Sequence, residues 1–265
     1  MFKDGHVHTR FCPHGTNDPF EAYVERALKL GYTEISFTEH APLPDSFIDP
    51  TPLSDSAMNK DYLDEYFAEI AELKESYAGK IKINAGLEVD YIEGYELEIA
   101  QFLNQVGAKL DDAILSVHFL KDAQGGFSCL DYSPENFATM IANYGSAEKV
   151  YQNYYRTVLK SIQAELGPFM PKRIGHITLV HKFRLKYPVL TSFDQEILAI
   201  LEAMNEKGYE LDHNGAGTAK PLCREPYPPA AIAQRAKSLG IPLIYGSDAH
   251  QAKELGQGID IIKAH

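Results

Sequence analysis

The sequence predicts an α/β fold: a parallel sheet of seven strands, closed as a barrel and occupying residues 1–265 as a single domain. Three observations predict it. Short β-rich runs alternate with longer amphipathic stretches along the whole chain, the pattern of repeated βα units. The 265 residues use up the roughly 250 that such a barrel takes. No linker, fixed-period repeat or low-complexity tract divides them.

The elements follow in order. Lys3 to His8 reads as the first strand, and Pro19 to Leu30 as an amphipathic helix, opened by a proline tolerated in a first turn and closed by Gly31. A second strand, Glu34 to Thr38, leads into Ala41 to Met58, which is rich in proline, aspartate and serine and has no period. A long loop of this kind in a compact domain is often an active-site wall. Lys60 to Tyr77 reads as helix, Lys82 to Val89 as strand, Tyr95 to Val106 as helix and Ala113 to His118 as strand. Behind Pro134, one long helical pattern covers Glu135 to Leu166. Arg173 to His176 is the next strand, followed by a helix from Phe193 to Lys207 that ends at Gly208, and a strand from Tyr209 to Asn214. A helix from Pro229 to Leu239, ended by Gly240, and a strand from Pro242 to Gly246 complete the series.

Composition narrows the function. With 45% hydrophobic and 23% charged residues, the chain can bury a sizeable core. Its formal net charge of -12 repels a nucleic-acid backbone, and no local basic patch offsets it. The opening MFKDGHVHTRFCPHG has no basic segment followed by an apolar run, and no stretch approaches the roughly 18 apolar residues of a membrane span. The expectation is a cytoplasmic protein with neither nucleic acid nor membrane as partner. Cys12, Cys129 and Cys223 lack the paired spacing of zinc ribbons or redox motifs, although Cys12 lies between two candidate metal ligands.

The chemistry is carried by residues at strand ends. His6, His8, His40, Glu88, His118, His176, Asp248 and His250 all fall there, and the C-terminal strand ends of a parallel barrel converge on one face. In His6-Val7-His8 and Asp248-Ala249-His250, side chains two apart point the same way, so each pair presents two donors to one site. His14 follows in the first loop, where Pro13 and Gly15 bend the chain so that its imidazole can turn back. Imidazole and carboxylate suit zinc, manganese or iron better than calcium or magnesium. Nine donors exceed the needs of one ion, so two or three ions sharing Glu88 would use them. An isolated histidine near a strand end is usually a hydrogen-bonded residue of no special role, but seven of the ten histidines gather in this pattern. His181, His213 and His265 stand outside it.

The segments GHVHTRFCPHG, FTEHAPLP, GLEVDYI, LSVHFL, RIGHITLVHKF and YGSDAH together resemble the polymerase and histidinol phosphatase (PHP) superfamily, and within it the histidinol-phosphate phosphatase branch. The resemblance spans nearly the whole chain. It implies a distorted (β/α)7 barrel holding three divalent transition-metal ions (zinc, manganese or iron): one on His6, His8, Glu88 and Asp248, one on Glu88, His118 and His176, and one on His14, His40 and His250. It also implies that a small phosphorylated metabolite, L-histidinol phosphate, is hydrolysed in histidine biosynthesis.

For that reaction Glu88, Asp248 and His250 are the expected catalytic residues, with Asp248 or a neighbouring histidine protonating the departing alkoxide. Arg10, Arg156, Lys182, Arg184 and Arg224 are the candidate phosphate clamps. Asp90 and Asp45 are candidates for the substrate ammonium. Two other readings use the same residues: a PHP-type phosphodiesterase or nuclease, which the acidic charge disfavours, and a non-catalytic metal-binding sensor, which the full ligand set disfavours.

Overall fold

A computed structural model describes residues 2–264. Seven parallel strands form one sheet, in the order β1 (Lys3–Val7), β2 (Glu34–His40), β3 (Lys82–Asp90), β4 (Asp112–Ser116), β5 (Arg173–Ile174), β6 (Glu210–Asn214) and β7 (Leu243–Gly246). The sheet curls until its edges meet: Val7 bridges Ala249 in parallel, the His8 amide donates to Ala249 O at 2.9 Å, and the Asp248 amide donates to His6 O at 2.7 Å. A nearly closed barrel results. Its last seam joins two segments that carry candidate ligands.

Helices cover the outside because each has one apolar stripe. In α1 (Phe20–Lys29) the buried residues Phe20, Tyr23, Val24 and Ala27 recur at helical spacing. The remaining long helices are α2 (Leu63–Ser76), α3 (Glu96–Val106), α4 (Pro134–Tyr144), α5 (Ala147–Gln163), α6 (Asp194–Lys207) and α7 (Ala230–Ser238). In β3, Ile83, Ala85, Leu87 and Val89 join the hydrophobic core, while Asn84, Glu88 and Asp90 bond to polar partners in neighbouring strands and loops. The period of two thus divides an apolar outer face from a polar interior.

The single helical pattern over 135–166 proves to be two helices. The chain turns at Gly145 (φ 92°), and the Ser146 hydroxyl then accepts the Lys149 amide as a new N-cap. Apolar spacing continues across the break, which is why periodicity alone misses it. A small hairpin of Phe119–Lys121 and Phe127–Cys129 was also not expected, since three-residue strands give no pattern to read. β4 and β5 end at Ser116 and Ile174, so His118 and His176 stand just beyond the strands rather than in them. Among the described residues no helix is long and apolar enough to cross a membrane.

The barrel base is a polar network. Lys3 pairs with Glu34 at 3.3 Å and Asp112 at 3.1 Å, Ser36 Oγ donates to Asp112 at 2.6 Å, and Arg173, 1% exposed, pairs with Asp112 at 3.0 Å and donates to Gly5 O at 2.7 Å. Replacing Asp112 by alanine would strand a buried guanidinium without its carboxylate. Denaturant unfolding is expected to show a loss of about 3–5 kcal/mol. Burial alone would raise the Asp112 pKa, but Arg173 and Lys3 hold it below the usual range. Its stabilisation is therefore present above the ordinary aspartate pKa and lost as pH falls through the lowered folded value. The Asp112→Ala variant should accordingly lose stability less steeply in acid.

Candidate metal centre

The C-terminal strand ends bring eight of the nine expected ligands to one mouth. His6 and His8 come from β1 and the residue after it, His40 ends β2, Glu88 lies near the end of β3, and His118, His176, Asp248 and His250 follow β4, β5 and β7. Register fixes some of these neighbours: His40 pairs with Glu88, and Asp90 with Ser116. Gly175 beside His176 has to be glycine, because a Cβ there would stand 2.0 Å from Ser116 Oγ, the hydroxyl that holds Glu88.

Four donors converge first. His6 Nε2 lies 3.2 Å from His8 Nε2, 3.2 Å from Glu88 Oε2 and 4.0 Å from Asp248 Oδ1. His8 Nε2 lies 3.5 Å from Glu88 Oε2 and 3.2 Å from Asp248 Oδ1. A tetrahedral ion with bonds of about 2.0–2.1 Å separates its ligands by about 3.3 Å, so this set is close to a ready coordination shell.

The hydrogen bonds around it point the same way. His6 Nδ1 is bonded to Asp212 at 2.9 Å and His8 Nδ1 to Glu39 at 3.1 Å, which makes both Nδ1 atoms the protonated donors. The two Nε2 atoms then face each other at 3.2 Å, an arrangement that needs either a second proton or a metal cation between them. Glu88 Oε2 is buried with no hydrogen-bond donor. The residues present fit a divalent metal.

A second set adjoins the first through the other oxygen of Glu88. Glu88 Oε1 lies 3.0 Å from His176 Nε2 and 3.8 Å from His118 Nε2, and it accepts from Ser116 Oγ at 2.6 Å. His118 Nδ1 is bonded to Asp90 at 2.8 Å. Three imidazoles, His6, His8 and His118, are thus each oriented by a carboxylate, an arrangement that fixes the tautomer and strengthens the ligand. Asp212 and Glu39 were not among the expected site residues. The alternation that puts Asp212 and Asn214 on one face of β6 was the available signal for the first, while Glu39 had only its adjacency to His40.

The electrostatics favour positive charge. Burial would raise the Glu88 and Asp248 carboxyls, but the surrounding histidines hold both well below the usual range. Burial would likewise depress His8 and His118, but Asp248 and Glu39 push His8 up to about 9, and Asp90 and Glu88 push His118 up to about 10. Burial and the neighbouring His8 leave His40 and His250 well below theirs.

His14 comes from the loop after β1 and lines the same mouth from its rim. It is exposed, with Nδ1 on the backbone oxygen of Asp55 at 3.1 Å. Its ring is near those of His40 and His250, at 5.4 and 5.0 Å between centroids, and the bond at Nδ1 leaves Nε2 as the nitrogen it can offer, although the tightest donor group around those two histidines is completed by His8 and Cys12.

A cavity of about 380 Å³ opens over the cluster, lined by His14, His40, Glu88, His118, His176, Asp248 and His250 and walled by Asp55 and Ser56 of the long loop. Of the expected substrate contacts, Lys182 lines it, paired with Asp131 at 2.8 Å. Arg10 is paired with Glu65 and Glu69 at the surface, Arg156 lies in a separate groove bonded to Asn153, and Asp45 is paired with Lys60 at 2.8 Å. Arg184 bonds to Cys223 O at 3.0 Å and pairs with Glu225 at 3.0 Å, and neither it nor Arg224 lines the cavity. Asp90 is turned to His118 rather than to the cavity. Lys220 does line it, and was missed although it lies in the loop after β6, on the expected face. His213 is buried on the other side of β6 and takes no part, and burial lowers it to about 4. His265 lies outside the described residues.

The PHP domain model matches residues 4–216. The histidinol-phosphatase of Bacillus subtilis is 49% identical over 258 residues, covering 96% of this chain and 95% of that protein. The crystal structure of a candidate histidinol phosphatase of Listeria monocytogenes superposes with a TM-score of 0.94 at 40% identity, covering 98% of this chain and 99% of that one. A structure of histidinol phosphate phosphatase from Lactococcus lactis, complexed with zinc, L-histidinol and phosphate, gives 0.70 at 23% identity over 99% and 93% of the two chains, a likeness of fold.

Proposed function

This chain belongs to the PHP domain family, and from that premise we propose that it is a metal-dependent phosphomonoesterase that hydrolyses L-histidinol phosphate to L-histidinol and phosphate, a step of histidine biosynthesis in the cytoplasm. The observation that carries the reading is the pair of donor sets joined through Glu88 and opening into one cavity of about 380 Å³, a size suited to a small ester. The 49% identity with the Bacillus phosphatase supports the substrate.

Zinc is the metal that these nitrogen-rich sets favour, with three ions per chain expected and manganese or iron as substitutes. Bound there, such ions supply Lewis-acid polarisation of the phosphoryl oxygens and lower the pKa of water toward about 7. The protein does the rest. Glu88 spans both sets with its two oxygens. Asn214 donates to Asp248 Oδ2 at 3.1 Å and holds its other oxygen toward His8, which keeps Asp248 an ionised ligand at the cavity wall and leaves a neighbouring histidine to pass a proton to the departing alkoxide. Lys182 and Lys220 supply positive charge for the phosphoryl group. The strands of 210–214 and 243–246 complete the barrel, and the residues after 246 supply Asp248 and His250, so we take 1–265 as one unit although the family model matches only 4–216.

Steady-state kinetics on a panel of esters tests this. L-Histidinol phosphate is expected to give the highest kcat/KM among small monoesters. A preference for a bis-ester or single-stranded DNA would favour a PHP-type diesterase, and no phosphate release from any member would favour a metal-binding sensor.

Asp90 offers a separate check. In its observed place it orients His118, so Asp90→Asn is expected to lower zinc affinity or kcat by about 10–100-fold. A rise in KM alone, with metal content unchanged, would instead make it a contact for the substrate ammonium.

A further inference from the structure

We propose that the groove around Arg156 is a second binding site, separate from the metal centre, for a small anion with at least two charged oxygens, such as a phosphate or a dicarboxylate. It goes beyond the phosphatase reading and does not depend on it.

The groove, of about 870 Å³, runs between the hairpin of 119–129, the end of α4, the outer face of α5 and the start of α6. It shares no lining residue with the cavity over the metal cluster. Three cations line it, Lys121, Lys149 and Arg156, and among the described residues none of them is in an ion pair. Its carboxylates are engaged elsewhere: Glu93 is paired with Lys160 at 2.7 Å, and Asp122 accepts the amides of Gln124 and Gly126 at 2.9 and 2.8 Å. Glu196 lies in the first turn of α6, where the helix dipole favours its charge. Uncompensated positive charge is left at the groove.

A buried side chain holds these groups in place. Asn153 is 7% exposed and uses its whole amide: Nδ2 donates to Lys121 O at 3.1 Å and to the Tyr144 hydroxyl at 3.3 Å, and Oδ1 accepts from the Arg156 guanidinium. One amide thus joins the hairpin, α4 and α5 where their polar groups meet. Burial pushes the Tyr144 pKa up, so the hydroxyl keeps its proton, and that proton has no acceptor among the described residues.

The groove therefore offers a guanidinium fork of fixed orientation, two ammonium groups and a hydroxyl donor. A planar fork with point charges beside it matches an anion that presents two or more oxygens. Orienting the guanidinium in advance also lowers the side-chain entropy lost on binding.

Nuclear magnetic resonance titration of the zinc-loaded full chain tests this, with inorganic phosphate in one arm and succinate in the other. The amides of Lys121 and Gln152 and the Arg156 Nε–H signal are expected to shift and to saturate with a Kd of about 1 mM for at least one anion, and the tighter anion identifies the group recognised. Phosphate also reaches the metal cavity, but the signals there belong to other residues. Arg156→Gln is expected to weaken binding at the groove by at least about tenfold, with kcat for L-histidinol phosphate unchanged. Should that variant not fold, Lys121→Gln decides, with a weakening in the same direction. No saturable shift with either anion at concentrations well above that Kd, or equal affinity in the wild type and the variant, would overturn the proposal. A fall in kcat would return Arg156 to the reaction itself and overturn it as well.

Discussion

Glu88→Ala is expected to lower kcat for L-histidinol phosphate by about three orders of magnitude, with the barrel still folded by circular dichroism. Among the described residues Glu88 is the one whose two oxygens face both donor sets, at 3.2 Å from His6 and 3.0 Å from His176. Removing it takes a ligand from each set and the negative charge that holds two cations close together. Lewis-acid stabilisation of a phosphoryl transition state contributes several kcal/mol, and each 1.36 kcal/mol is a factor of ten, so losing about 4 kcal/mol gives the stated drop. Glu88→Gln keeps the shape and one good ligand atom, and should fall between the two. Unchanged turnover in Glu88→Ala would mean that the cluster is not the catalytic centre.

Removal of the metal should have an effect of similar size. Chelator-treated protein is expected to release phosphate at a background rate, at least about 100-fold below the loaded enzyme, and zinc should restore it. Magnesium should not, because it prefers oxygen ligands in octahedral array and these sets are rich in imidazole. Stripping should also lower the melting temperature. It leaves the facing Nε2 atoms of His6 and His8 and the unpartnered Glu88 Oε2 without compensation, and a ligand present at about 1,000 times its Kd adds roughly 4 kcal/mol of stability. Full activity in protein shown by elemental analysis to be metal-free would remove the basis of the mechanism.

Much of this was legible in the sequence because the relevant signals are periodic. Seven strands and their intervening helices, apart from the pair merged over 135–166, emerged within a few residues of their true ends, since β3 alternates Ile83, Ala85, Leu87 and Val89 with Asn84, Gly86 and Glu88, and α1 repeats its apolar residues at helical spacing. The same alternation put the ligand residues at one end of the barrel. What stayed hidden depends on contacts between distant segments. Nothing in the sequence says that the loop bearing Asp55 folds back to hold His14, or that Glu39 reaches His8 thirty-one positions earlier. The candidate phosphate clamps failed to gather for the same reason: Arg10 and Arg156 sit near strand ends or helices in sequence, but their side chains are drawn to Glu65, Glu69 and Asn153. Lys182 was legible because it follows His176 by only six residues, and it does reach the cavity.

The central claim is that the residues at the strand ends form a metal centre bridged by Glu88. Anomalous diffraction at the zinc absorption edge, on crystals of the zinc-loaded chain, tests it most directly. The account predicts one peak among His6, His8, Glu88 and Asp248 and a second among Glu88, His118 and His176, each about 2.0–2.2 Å from its ligand atoms. Peaks confined to other parts of the molecule, or no peak at Glu88, would contradict it.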